Sequence, residues 1–230
     1  MVWQLASPIM DLAYVVDTPS RPGLEVVPDG RCGVALVDGV PWWFGPQTRP
    51  WAPPRSGVHV VGVRLSLTSG RRAAGRPLQQ WQDLRAPLCA AWGEGVAGRL
   101  ADQAARATSD PERIDLLVAA ASVRVQGEPE SDLITETLAT LVSTDVPVSQ
   151  IARHVGLSPR QVLRRCLQEF GVSPSVLRRI ARVHRAARES IIVQQPSLAR
   201  LAADTGFADQ AHFCREIRAM SGTTPGAVFG

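Results

Sequence analysis

Ile151-Ala152-Arg153-His154-Val155-Gly156-Leu157, followed by Val162, and Leu201-Ala202-Ala203-Asp204-Thr205-Gly206-Phe207, followed by Phe213, are two versions of one local design. Each puts a small residue where two helices cross. Four positions later each has a glycine, which tolerates the positive φ of a tight turn, and each has an apolar residue on the next helix to pack back. Ala202 lies 50 residues after Ala152, and Gly206 lies 50 residues after Gly156. A single Ala-x-x-x-Gly is common by chance. Two in tandem, each followed by a capped amphipathic helix and joined by an Arg-rich helix, spell a pair of helix-turn-helix units. Ala152, Gly156, Val162, Ala202, Gly206 and Phe213 are their structural residues.

Working outward, the chain reads as all helix after Ser131, with helices expected over 133–142, 148–155, 159–170, 174–192, 197–204 and 210–220. Their starts are well marked. Ser158-Pro159-Arg160-Gln161 is a capping box with proline in the first turn, and Ser173-Pro174 repeats the cap. Ser197 and Asp209 are further caps. Upstream, Gln126-Gly127-Glu128-Pro129-Glu130 reads as a linker, because Gly127 stops a helix and Pro129 prevents an immediate restart. The expected division is 1–126 for a first domain, 127–131 for the linker and 132–230 for the double helix-turn-helix.

Charge agrees with that division. All 25 basic side chains are arginine. Residues 1–130 hold 13 Arg against 13 acids, and residues 131–230 hold 12 Arg against 8 acids. Between Pro147 and Ser190 there are 9 Arg and only Glu169 and Glu189, a net of +7. Positive charge gathered into one stretch is the footprint of a polyanion partner.

The helical part is identified as a member of the AraC/XylS transcription regulators. The resemblance covers about residues 133–229 and is carried by three stretches. They are Leu157-Ser158-Pro159-Arg160-Gln161-Val162-Leu163-Arg164-Arg165, Phe170-Gly171-Val172-Ser173-Pro174 and Gly206-Phe207-Ala208-Asp209-Gln210-Ala211-His212-Phe213-Cys214-Arg215-Glu216. The ending Gly222-Thr223-Thr224-Pro225 also fits. The resemblance implies two recognition helices in successive major grooves, roughly 34 Å apart along B-DNA, with helix 174–192 holding them apart. It implies that Arg160, Leu163 and Arg164, and Gln210, His212 and Arg215, read base edges. Ser158, Arg165, Arg178 and Arg179 are then expected to meet phosphates. His212 has a competing reading as a helix-packing residue, and Arg182, Arg185 and Arg188 read as a solvated face. Cys166 and Ile217 stand where the family has a bulky aromatic, and Leu163 where it is often polar.

The first part reads as β-rich, giving an α+β protein overall. Short Val-rich runs at 11–16, 24–27, 33–37 and 57–65 are the expected strands, arranged as a small sandwich or barrel. Residues 41–46 and the Pro-rich 50–54 read as turn or edge material. Helical spacing appears at 78–81, 84–92, 96–106 and 111–125, the last with Asp110 as N-cap. Val27-Pro28-Asp29-Gly30-Arg31-Cys32, Phe44-Gly45-Pro46-Gln47-Thr48-Arg49 and Val61-Gly62-Val63-Arg64 are similar to a sensor or dimerisation domain often attached to such regulators. That implies a small-molecule effector or a homodimer, with RNA polymerase as a further partner of the regulator. Trp42, Trp43 and Trp51 are candidates for a pocket wall, against the alternative that they are core.

Other classes fare less well. Cys32, Cys89, Cys166 and Cys214 are scattered without CxxC spacing, so free thiols are expected and no metal site or cofactor is indicated. A cupin-like metal enzyme needs a His/Glu cluster, and residues 1–130 contain only His59. A zinc-dependent alkyl-transfer domain needs more cysteines than Cys32 and Cys89. The reading is therefore of a protein that is not an enzyme, with a thiol-based redox sensor using Cys32 or Cys89 as an alternative. With no secretory signal in residues 1–17 and no long apolar run, a cytoplasmic protein is expected.

Overall fold

The computed structural model describes residues 1–4, 7, 9–17, 27–51, 57–144, 146–193 and 197–229. The expected strand at 24–27, Val27 apart, and most of the Pro-rich 50–54 lie outside the described residues.

Six strands form one antiparallel sheet: β1 (Val2–Gln4), β2 (Met10–Asp17), β3 (Gly33–Val37), β4 (Val40–Phe44), β5 (His59–Leu65) and β6 (Arg85–Pro87), in the order β1-β2-β5-β3-β4-β6. The β3–β4 hairpin turns on Asp38 and Gly39, both at positive φ (48° and 81°), the pairing that matches strand twist in two-residue hairpins. The alternation of β-structure then sorts the side chains. Ala13, Val34, Val63 and Trp43 face one way, into a core closed by helices. Tyr14, Ala35, Gly62 and Trp42 face the other way.

The covering helices are α1 (Leu67–Ala74), α2 (Cys89–Trp92), α3 (Glu94–Arg106) and α4 (Asp110–Gln126), with a 3-10 turn at Leu78–Trp81. Leu117, Ala121 and Val125 of α4 are fully buried against the sheet. The second layer is therefore helical, in place of the expected sandwich or barrel. Val-rich strands with turns at this spacing are shared by both architectures, and the second layer decides between them.

Three local expectations are corrected. Residues 41–44 are strand rather than turn. Pro41 accepts a hydrogen bond from the Leu88 N–H on its β6 side, so the N–H it lacks faces the same way, beyond the end of the β6 register. The expected helix at 84–92 splits into β6 and the short α2, because Arg85, Ala86 and Pro87 pair with β4. The N-cap of α4 is Ser109, whose side chain accepts from Glu112 N, with Asp110 one step inside. Helix α1 has no clear helical signature around Gly70, where a Cβ would sit tightly, 3.1 Å from Cys32 Sγ and 3.2 Å from Leu78.

The second half is helical as expected: α5 (Leu133–Leu141), α6 (Val148–His154), α7 (Pro159–Glu169), α8 (Pro174–Ile192), α9 (Leu198–Asp204), α10 (Gln210–Ser221) and α11 (Pro225–Phe229). Two cores hold it. Leu138, Ile151, Val162, Cys166 and Phe170 form one with Leu67 of α1, and Ile180, Val183, Leu201, Phe213, Ile217 and Met220 form the other. The segment 127–131 runs along α1. The Arg72 guanidinium donates to Glu128 O, and the Ser131 hydroxyl donates to Thr68 O.

Candidate nucleic-acid interface

The two helix-turn-helix units are built by the same bonds. In the first, Val155 N donates to Ile151 O and Leu157 N to Ala152 O; in the second, Thr205 N donates to Leu201 O and Phe207 N to Ala202 O. Gly156 and Gly206 carry the turns at φ of 68° and 82°. Ala152 and Ala202 are buried at the crossings, and Val162 and Phe213 are fully buried behind them. Each second helix is then started by a polar cap. Ser158 accepts from Gln161 N while Gln161 Oε1 accepts from Ser158 N at 2.8 Å, a complete capping box. Asp209 accepts from His212 N at 2.6 Å.

These constraints turn one face of α7 and of α10 outward. Arg160, Leu163 and Arg164 are exposed on α7, as are Gln210 and Arg215 on α10. Leu163 is 41% exposed, high for a leucine with no apolar cluster around it. His212 behaves differently. Its ring stands edge-on to Phe207 with centroids 5.5 Å apart, and Nδ1 accepts from Ala208 N at 3.3 Å, so most of it is spent inside its own unit.

The candidate phosphate contacts divide as well. Ser158 is exposed at the start of α7. Arg165 turns the other way: it pairs with Asp132 and donates through Nε to Thr135 Oγ1 at 3.1 Å, tying α7 to α5. Asp132 has its pKa held down, first by the Thr135 backbone N–H and then, against some opposing burial, by Arg165. Arg179 pairs with Glu216 of α10 at 2.5 Å, and Arg178 beside it is half-buried. Arg182, expected as a solvated face, instead donates to Gly206 O at 3.3 Å and lies 5.4 Å from the Phe207 ring, fastening α8 to the second turn. Sequence spacing gave no sign of that contact, since the partners are 24 residues apart.

The tryptophans also separate. Trp43 is fully buried, with its ring 6.0 Å from Trp81 and 6.3 Å from Trp92, so it is core and not a wall. Trp42 and Trp51 are half-buried on the opposite side of the sheet from the helices. A cavity of about 490 Å³ lies elsewhere, where Arg71, Arg72 and Arg76 meet Glu128, Arg165 and Glu169, and none of the tryptophans lines it. Burial drives the Cys32 thiol far above its ordinary range and pushes Cys166 up to about 12, leaving both as poor nucleophiles. Cys166 fills the position of the expected aromatic, packed in one cluster with Phe170. Among the described residues no helix is long and apolar enough to cross a membrane.

The fold and exposed faces define a protein with two helix-turn-helix units. Residues 135–230 match a family described as helix-turn-helix domain. The crystal structure of an apo ToxT variant from Vibrio cholerae strain SCE256 is similar over 99% of this chain and 100% of that chain, with 11% identity and a TM-score of 0.52. ToxT from Vibrio cholerae O395 is similar over 94% of this chain and 95% of that chain, with 12% identity and a TM-score of 0.50. No curated protein matches the sequence. The C-terminal part of the chain thus matches a helix-turn-helix domain family, and the chain as a whole shares the fold of these ToxT structures.

Proposed function

We propose that this protein is an AraC-type regulator that reads a bipartite duplex site, with α7 and α10 in successive major grooves and α8 as the spacer between them. The observation that carries this is the repeated outward face: Arg160, Leu163 and Arg164 on a helix started by a complete cap, and Gln210 and Arg215 on its counterpart. Arginine suits bidentate pairing with guanine, glutamine suits adenine, and leucine is limited to a thymine methyl. His212 contributes mainly by holding Phe207. Ser158 and Arg178 are the phosphate contacts of this reading, while Arg165 and Arg179 act by positioning α7 and α10. The division into 1–126 and 132–230 makes the first part the sensor, responding to a small-molecule effector. Duplex DNA, RNA polymerase and a second copy of the chain are the macromolecular partners this reading carries.

Arg160→Ala and Arg215→Ala are each expected to weaken specific binding by roughly 1–3 kcal/mol and to relax sequence preference. Selection of bound duplexes from a random pool, followed by titration of the selected and scrambled sites at fixed salt, checks this. Equal loss on both duplexes would remove these residues from base reading.

A further inference from the structure

The sheet face turned away from the helices carries chemistry that DNA binding does not use. Strand registers align Arg64 of β5, Gly33 of β3, Phe44 of β4 and Arg85 of β6 in one row across it. Side chains opposite one another across a sheet share a face, so two guanidinium groups flank one aromatic ring there. Gly33 makes room: a Cβ at that position would lie 3.1 Å from Arg64 Cδ and Nη1.

Arg64 is only 8% exposed. Its Nε pairs with Asp29 at 3.0 Å, and its guanidinium carbon lies 5.6 Å from the Tyr14 ring centre and 5.9 Å from that of Phe44. Its Nη1 is buried without a hydrogen-bond partner. Arg85 lies 3.9 Å from the Trp51 ring centre, and Trp51 in turn meets Phe44 edge-on at 6.3 Å. Arg85 Nε is also buried without a hydrogen-bond partner. Asp83, whose charge acts on Arg85, is already occupied by the Thr48 backbone N–H at 2.6 Å and hydroxyl at 2.7 Å. Among the described residues Arg85 forms no ion pair. Its pKa falls to about 10, first through burial and then through the Arg64 charge nearby. The face thus holds two cations against the one carboxylate that pairs there, Asp29, with unspent donors on an aromatic wall. Buried donors and charges without partners are unfavourable, and a bound anion relieves both.

We propose that this face is the effector site and that the effector is a small organic carboxylate on a flat apolar body. The charged end meets the free donors of Arg64 and Arg85, and the body lies on Phe44, Trp51 and Tyr14. Aromatic walls favour an organic anion over an inorganic one, since apolar lining with a few convergent polar groups is the pattern of small-molecule sites. The proposal rests on the sensor reading of the first part and gives it a location and a ligand class.

Thermal unfolding and tryptophan fluorescence of the full chain, titrated with benzoate and indole-3-acetate and with their uncharged amides, test it. At least one acid is expected to bind saturably and raise the unfolding midpoint, with its amide at least ten-fold weaker. Arg85→Gln is expected to cut acid affinity at least ten-fold while leaving specific duplex binding intact. Trp51→Leu, followed by thermal shift, is the second variant and should weaken acid and amide alike. The proposal is overturned if neither acid binds saturably, if the amides bind equally well, or if both variants bind the acids like the parent. Duplex binding on the same preparations separates the two readings. Full duplex binding without acid binding sinks this site alone, and acid binding without sequence-specific duplex binding sinks the DNA reading alone.

Discussion

The first and second helix-turn-helix units share their backbone bonds, their positive-φ glycines and their caps, yet they are embedded differently. The core of the first unit includes Leu67 from the N-terminal half, and Gly171 just after α7 presses on Leu78, where a Cβ would come within 2.8 Å of backbone. Arg71 reaches Glu169 at 3.1 Å, and Ser131 reaches Thr68. The first unit is thus walled in by the N-terminal half. The second unit closes on α8 through Ile180, Val183 and Ala186, with Phe207 and Phe213 as its aromatic centre. Its cluster meets the N-terminal half at Val27, and His184 and Ile180 of α8 touch Pro28 and Gly30. The difference teaches that one local code serves two embeddings: the first unit takes a residue of α1 into its core, and the second is closed mainly by α8, which itself touches the N-terminal half.

The strongest way to break that comparison is a pair of core truncations. All six tryptophans lie at or before Trp92, so their fluorescence reports the N-terminal half alone. Phe213→Ala is expected to cost about 3–5 kcal/mol, melting the second unit early by circular dichroism while the tryptophan transition stays in place. Leu67→Ala is expected to cost about 2–5 kcal/mol and to shift both signals together, because this residue of α1 is part of the first unit's core. Identical behaviour of the two variants would show that the units are embedded alike.

A smaller effect sharpens what the units share. Gly156→Ala and Gly206→Ala should each cost about 1–2 kcal/mol in urea unfolding, since both need the left-handed region. No atom lies within 4 Å of a Cβ at Gly156, so the strain there is purely conformational. A clear inequality between the two would mean that the turns are not equivalent.

Smaller again is the ionic tie of the first unit. Arg71 is 55% exposed, so Arg71→Ala should lose only about 0.2–1 kcal/mol in thermal unfolding at low salt, and less at high salt. A loss that salt does not reduce would argue for packing rather than charge.

The smallest effect lies far from the interface and serves as a control. His59 bonds Asp17 at 2.6 Å and Asp110 at 3.1 Å, and these two carboxylates, in that order, raise its pKa. A raised folded pKa means that the contribution is fully present below the ordinary histidine value of about 6.5 and fades as pH rises through the folded value. Urea midpoints followed upward from pH 6 should therefore fall in the parent and lose that component in His59→Gln. A change in duplex affinity over the same range would tie this pair to the units after all.

Much of this was legible in the chain. The caps at Ser158, Ser173, Ser197 and Asp209 are short-range signals, because a side chain meets a backbone N–H three residues on. The outward set on α7 followed from helical spacing. By contrast, Trp43 and Trp42 are adjacent in sequence and end on opposite sides of the sheet, one in the core and one at its margin. Arg165 points to α5 and Arg179 to α10 where phosphate contacts were expected, and Arg182 points to the second turn where a solvated face was expected.

The sequence by itself determined the tandem units, their turns and the faces they can present, because these depend on residues within one or two helical turns of each other. Only the tertiary structure decided that the first unit is joined to the N-terminal half through Leu67. It also replaced an expected second sheet with helices, and it brought Arg64 and Arg85 into one row with Gly33 and Phe44 between them. Those outcomes depend on which distant surfaces bury each other, and burial between segments far apart in the chain leaves no period in the sequence to read.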